Sequence, residues 1–62
     1  MPSAPREIIF EYARIGNSIR VTAVDAETGT EAVFQAPSGT PTSDLQRMAV
    51  RKLEYVMAKQ KS

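Results

Sequence analysis

The chain has 62 residues, a net charge of +1, and neither histidine nor cysteine. Disulfides are therefore excluded, zinc has none of its preferred nitrogen or sulfur ligands, and serine- or cysteine-type nucleophilic catalysis loses its usual base. A chain this short buries only ~60% of its unfolded surface, and with those staples absent self-association is the stabilising device left.

The seven acidic residues are not spaced as a calcium loop, and no cofactor is expected. Met1-Pro2-Ser3-Ala4-Pro5 has no basic start followed by an apolar core, and no apolar run approaches the ~20 residues of a membrane span. A soluble, cytoplasmic protein is the expectation. Charge is uneven along the chain. Residues 1–41 carry three arginines against five acids, a net −2, and residues 42–62 carry five cations against two acids, a net +3. The first half is mildly acidic and the second basic.

Residues 1–5, with two prolines, read as a disordered lead-in to one domain over residues 6–60. From Glu7 to Ile15 the residues are rich in β-branched and aromatic types, and Gly16-Asn17 supplies a two-residue hairpin turn. A second strand follows from Ser18 to about Asp25. Closing the hairpin at Gly16-Asn17 pairs Phe10 with Ala23, Tyr12 with Val21 and Arg14 with Ile19. Ile8, Phe10, Tyr12, Ile19, Val21 and Ala23 then share one face, as the period of two requires for a half-buried sheet. The opposite face takes Glu7, Glu11, Ala13, Ser18, Arg20 and Thr22, and also Ile9, Ile15 and Val24. Ile9 and Val24 fall opposite each other, an apolar spot on the wet side.

Asp25-Ala26-Glu27-Thr28-Gly29-Thr30 is a second turn, with Gly29 suited to a left-handed position. The third strand runs from Glu31 to about Ala36. Its facing depends on loop parity, and an even loop puts Phe34 in the core, where an aromatic ring gains most from burial. Ala36-Pro37-Ser38-Gly39-Thr40-Pro41 holds two prolines and a glycine and is the only linker. A capping box follows, Ser43 as N-cap with Gln46 three residues on, and Asp44 complements the helix dipole. The helix is expected from Asp44 to about Lys59. Leu45, Ala49, Val50, Leu53, Val56 and Met57 form its core stripe, while Met48 and Tyr55 lie outside that stripe, on the other side of Lys52. The fold class is α+β: a three-stranded antiparallel meander followed by one amphipathic helix.

No constellation for catalysis emerges, and an enzyme is not expected. Glu7 and Glu11 share a strand face about 13 Å apart beside Arg20, and read as solubilising charges. The glycines stand singly at turns, so there is no phosphate-cradling loop. A β-β-β-α chain resembles, by fold analogy alone, small domains that read DNA with a sheet, but such a face needs projecting cations, and here Arg20 stands against Glu7 and Glu11. A weaker alternative is phosphate contact through Arg47, Arg51, Lys52 and Lys59 on the helix. The preferred expectation is a non-enzymatic interaction or structural module that pairs with itself. Ile9, Val24, Met48 and Tyr55 are its candidate partner surface, and both sheet edges lack evident proline or lysine guards. The stiff Pro37–Pro41 hinge adds the option of passing the helix to a second copy.

The run Arg6-Glu7-Ile8-Ile9-Phe10-Glu11-Tyr12, the Gly16-Asn17 turn, Thr28-Gly29, and Arg47-Met48-Ala49-Val50-Arg51-Lys52-Leu53-Glu54-Tyr55 together resemble a small family of uncharacterised bacterial proteins. The resemblance spans nearly the whole chain. It implies a stand-alone bacterial domain and brings no catalytic or binding residues with it.

Overall fold

The structure, a computed structural model, describes residues 7–61; the lead-in expected over residues 1–5 lies outside them. Three strands, β1 (Ile8–Ile15), β2 (Ser18–Asp25) and β3 (Glu31–Pro37), form an antiparallel sheet in the order β1-β2-β3, and one helix, α1 (Thr42–Lys61), follows. The meander and the C-terminal helix are those expected from the residue pattern.

The first hairpin has the register set by its turn, with Phe10 opposite Ala23, Tyr12 opposite Val21 and Ile9 opposite Val24. Gly16 takes φ +60° while Asn17 keeps a negative φ, the combination of a type II′ turn, whose twist suits a two-residue hairpin. The second loop is even. Asp25 N–H donates to the Thr30 carbonyl at 2.9 Å, and Gly29 N–H, at φ +77°, donates to the Asp25 carbonyl at 2.7 Å, which leaves four residues between the closing pair. Val21 therefore faces Phe34, and Phe34 packs against the core.

That core is small-residue in character: Val21, Ala23, Ala32, Ala36, Leu45, Ala49 and Leu53, edged by Ile8, Phe10, Ile19, Phe34, Val56 and Met57. Ala23 and Ala32 are cross-strand partners, so at that pair the two adjacent strands present only methyl groups to the helix. Ala49 answers them from α1 and lets the layers approach closely, with Leu45 and Leu53 filling the space on either side. Five of the six stripe positions expected on the helix belong to this core, and Val50 is half-buried at its rim.

The start of the helix differs from the expectation. Asp44 N–H and Leu45 N–H both donate to the Pro41 carbonyl, at 3.0 and 3.1 Å, so Pro41 is the boundary residue and Ser43 lies inside the first turn. The Ser43–Gln46 capping box does not form. Thr40 explains why. Its N–H and its hydroxyl both donate to the Pro37 carbonyl, at 3.0 and 2.8 Å, turning the linker one step earlier than the sequence suggests. Gln46 is released from capping, and its Nε2 donates instead to Tyr12 Oη at 3.2 Å.

Candidate interaction surface

The linker from Ser38 to Pro41 is four residues, so α1 begins beside β3 and lies over β3 and β2 rather than over β1. This placement decides which apolar side chains stay open. Tyr12 points to the helix side of the sheet, as its parity demands, yet it is 43% exposed, because α1 lies over β2 and β3 and touches this strand only at its margin, through the Gln46 bond to Tyr12 Oη. The expectation of a fully covered inner face fails at this residue. Ile8 and Phe10, also on β1, are half-buried, while Val21 and Ala23 on the central strand are wholly buried.

The outer face of the sheet carries no covering element among the described residues. On it lie Ile9 and Val24 side by side, Ile15 at the hairpin end, and Val33, which the sequence reading did not single out. Val33 is opposite Thr22, two residues from Val24, so Ile9, Val24 and Val33 run across all three strands. Ile9, Ile15 and Val33 are exposed and Val24 is half-buried. Once the even loop fixed the facing of Phe34, the same parity required Val33 to point outward.

Met48 and Tyr55 are exposed too, but on a flank of α1. The opposite flank holds Gln46, whose bond to Tyr12 turns it toward β1, so Met48 and Tyr55 lie toward β3. The four candidate partner residues are thus two separate pairs, divided by the thickness of the sheet. Lys59 Nζ stands 5.5 Å from the centre of the Tyr55 ring, a cation–π contact that occupies that flank. The cations Arg47, Arg51, Lys52 and Lys59 are all exposed, and Arg47 Nη2 lies 3.5 Å from Asp44 Oδ1. Arg47 and Arg51 occupy the back of the helix, and Lys52 and Lys59 the Tyr55 flank, so the four do not form one row.

Glu7 and Glu11 are exposed on the outer face. Glu11, Tyr12, Ala13, Arg20 and Thr22 line an open depression there, with one acid and one base and no enclosure. No group of three or more acidic residues suited to a metal ion occurs among the described residues, and no described helix is long and apolar enough to cross a membrane.

Asp25, expected at the junction of the second strand and the turn, carries a role the sequence reading did not assign. It ends β2, is 1% exposed, and its Oδ1 accepts from Glu27 N–H at 2.9 Å and Thr28 N–H at 3.1 Å. An aspartate whose side chain closes the backbone two residues ahead is an Asx-turn, and an Asp four residues before a left-handed Gly was the available signal. Its role is to hold the β2–β3 loop.

A model of a domain of unknown function matches residues 5–60, nearly the entire chain. The chain belongs to the DUF6898 family. No curated protein and no solved structure matches it. Membership in DUF6898 agrees with the fold as one unit of three strands and a helix, and it assigns no chemistry to any residue described above.

Proposed function

We propose that this DUF6898 chain is a non-enzymatic interaction module that works as a symmetric homodimer. The observation that carries this reading is the one-sided coverage of the sheet. A single helix covers one face and only part of that, and Ile9, Tyr12, Ile15, Val33, Met48 and Tyr55 are left exposed on a chain whose fully buried large side chains are few. Scattered surface apolars are ordinary on large proteins; six of them beside a core built mainly of alanine are a substantial fraction of what this fold could bury. A second copy supplies that burial without any other component, and two-fold pairing makes one patch serve both sides. Helix exchange through the Pro37–Pro41 hinge is a variant of the same assembly, in which the core contacts of α1 are made to a partner's sheet.

Sedimentation equilibrium at micromolar concentration tests the proposal. A mass near twice 6.8 kDa is expected, and a mass of 6.8 kDa throughout overturns it. Weak nucleic-acid binding through the exposed Arg47, Arg51, Lys52 and Lys59 is the second reading, supported by their exposure and the basic balance of the helix half. A mobility shift on generic DNA that vanishes with added salt is its signature, and the absence of any shift at low salt removes it.

A further inference from the structure

We infer that the dimer forms by antiparallel pairing of β1 with β1 of a second copy, in the register that sets Tyr12 opposite the partner's Tyr12 and Ile9 opposite the partner's Ile15. This rests on the homodimer reading and specifies its interface. The first support is where the open side chains lie. Three of the six exposed large hydrophobics, Ile9, Tyr12 and Ile15, belong to β1, an edge strand of eight residues. The second is the contrast between the two edges. β3 ends in Pro37, whereas β1 contains no proline and pairs with β2 without a bulge, and no described strand lies on its outer edge. Edges of that open kind are templates for another strand.

Hydrogen bonding fixes which registers are possible. Asp25 N–H bonds to Thr30 and Ser38 N–H to the Asn17 carbonyl, so the odd-numbered residues of β2 point their backbone groups at β3. Its even-numbered residues therefore bond to β1, where their partners are odd-numbered, and Ala26 N–H to the Glu7 carbonyl at 3.0 Å agrees. The N–H and C=O groups of Ile8, Phe10, Tyr12 and Arg14 are left pointing to the free edge. A second β1 must match these even positions with its own.

Four registers near the strand centre satisfy that rule, and the side chains separate them: with Ala13 opposite the partner's Ala13, Glu11 faces the partner's Ile15 and Ile9 lies beyond the overlap. With Glu11 opposite the partner's Glu11, two like charges meet at the two-fold, which is destabilising. With Phe10 opposite the partner's Phe10, Ile9 faces the partner's Glu11. With Tyr12 opposite the partner's Tyr12, the rings meet on the helix side, Phe10 lies against the stem of the partner's Arg14, Glu11 faces the partner's Ala13, and Ile9 faces the partner's Ile15 twice over. This last register alone covers all three exposed hydrophobics of β1 and sets no acid directly against an acid. The outcome is a six-stranded sheet with both helices on one face, separated by the two β1 strands.

Because the chain has no native cysteine, single cysteines report the register directly. Ile9 and the partner's Ile15 would form a non-hydrogen-bonded pair with Cα atoms ~4.5 Å apart, within disulfide reach. An equimolar mixture of Ile9→Cys and Ile15→Cys chains, mildly oxidised, is expected to give a covalent heterodimer containing one of each. Glu11→Cys alone is expected to cross-link at least about tenfold more slowly. Efficient cross-linking of Glu11→Cys with none in the mixture overturns the register. A native chain of dimer mass with neither cross-link overturns edge pairing while leaving the homodimer standing, and a native chain of monomer mass removes both. A second pair of variants guards against misfolding. Tyr12→Pro removes an outward N–H that the isolated sheet does not use, and should weaken the dimer by at least about tenfold with circular dichroism retained. Val33→Pro does the same to the outward edge of β3 and should leave the dimer intact; equal effects of the two overturn the choice of edge.

Discussion

Asp25 shows how one side chain decides a loop. It is buried at the end of β2, where its Oδ1 accepts from the Glu27 and Thr28 N–H groups, its N–H donates to the Thr30 carbonyl, and its carbonyl accepts from Gly29 N–H. Replacing it with alanine removes an acceptor from Glu27 and Thr28 at once, and Asp25→Ala is expected to cost about 1–3 kcal/mol in urea unfolding. Asp25→Asn keeps an acceptor and should cost less. Gly29 is the complementary case. At φ +77° with nothing within 4 Å of an added Cβ, the penalty for Gly29→Ala is conformational rather than steric, about 1–2 kcal/mol. In the core, Leu53 is fully buried against a layer of alanines, and Leu53→Ala should cost about 2–5 kcal/mol because small neighbours cannot collapse into the space.

At the scale of elements, the helix start is the informative boundary. A Ser N-cap replaced by alanine ordinarily loses about 1 kcal/mol. Since Pro41 occupies the boundary and Ser43 makes no capping bond, Ser43→Ala should change the unfolding midpoint by less than about 0.5 kcal/mol in equivalent stability. Thr40→Val keeps the shape of residue 40 and its N–H bond but deletes the hydroxyl bond to Pro37, and is expected to be the more costly of the two. The three strands were legible for a different reason: Gly16-Asn17 sets the hairpin register by itself, and a one-residue slip would turn Val21 and Ala23 outward. The helix boundary was not legible because serine at position 43 satisfies the capping pattern locally, and only the turn at Thr40, built by its bonds to Pro37, moves the start to Thr42.

For the whole molecule, stability and assembly should be coupled. If folded chains pair and unfolded chains do not, the melting temperature rises with protein concentration by mass action. A tenfold increase in concentration should raise it measurably in the native chain and not in Tyr12→Pro, by differential scanning calorimetry. The candidate surface was only half legible. Ile9 and Val24 were placed correctly as an outer cross-strand pair, because parity alone puts them there. Tyr12 was not recognised as open, since parity says which face a side chain takes and is silent on whether a helix lies above it. Ile15 falls on the outer face by the same parity as Ile9, while the facing of Val33 follows only from the even second loop.

The amino-acid sequence by itself determined the first hairpin's pairing, the left-handed glycine of the second loop and the apolar stripe of the helix, while the facing of Phe34 waited on the four-residue loop that the structure shows. The first three each follow from a period or a turn residue acting within a few positions. Only the tertiary structure decided where the helix sits across the sheet. A four-residue linker tethers it to β3 and over β2, alanines at Ala23, Ala32 and Ala36 draw it close there, and β1 is left as the uncovered edge. That lateral choice, made by linker length and core packing together, turns Ile9, Tyr12 and Ile15 from three unrelated residues into the exposed hydrophobics of one edge strand.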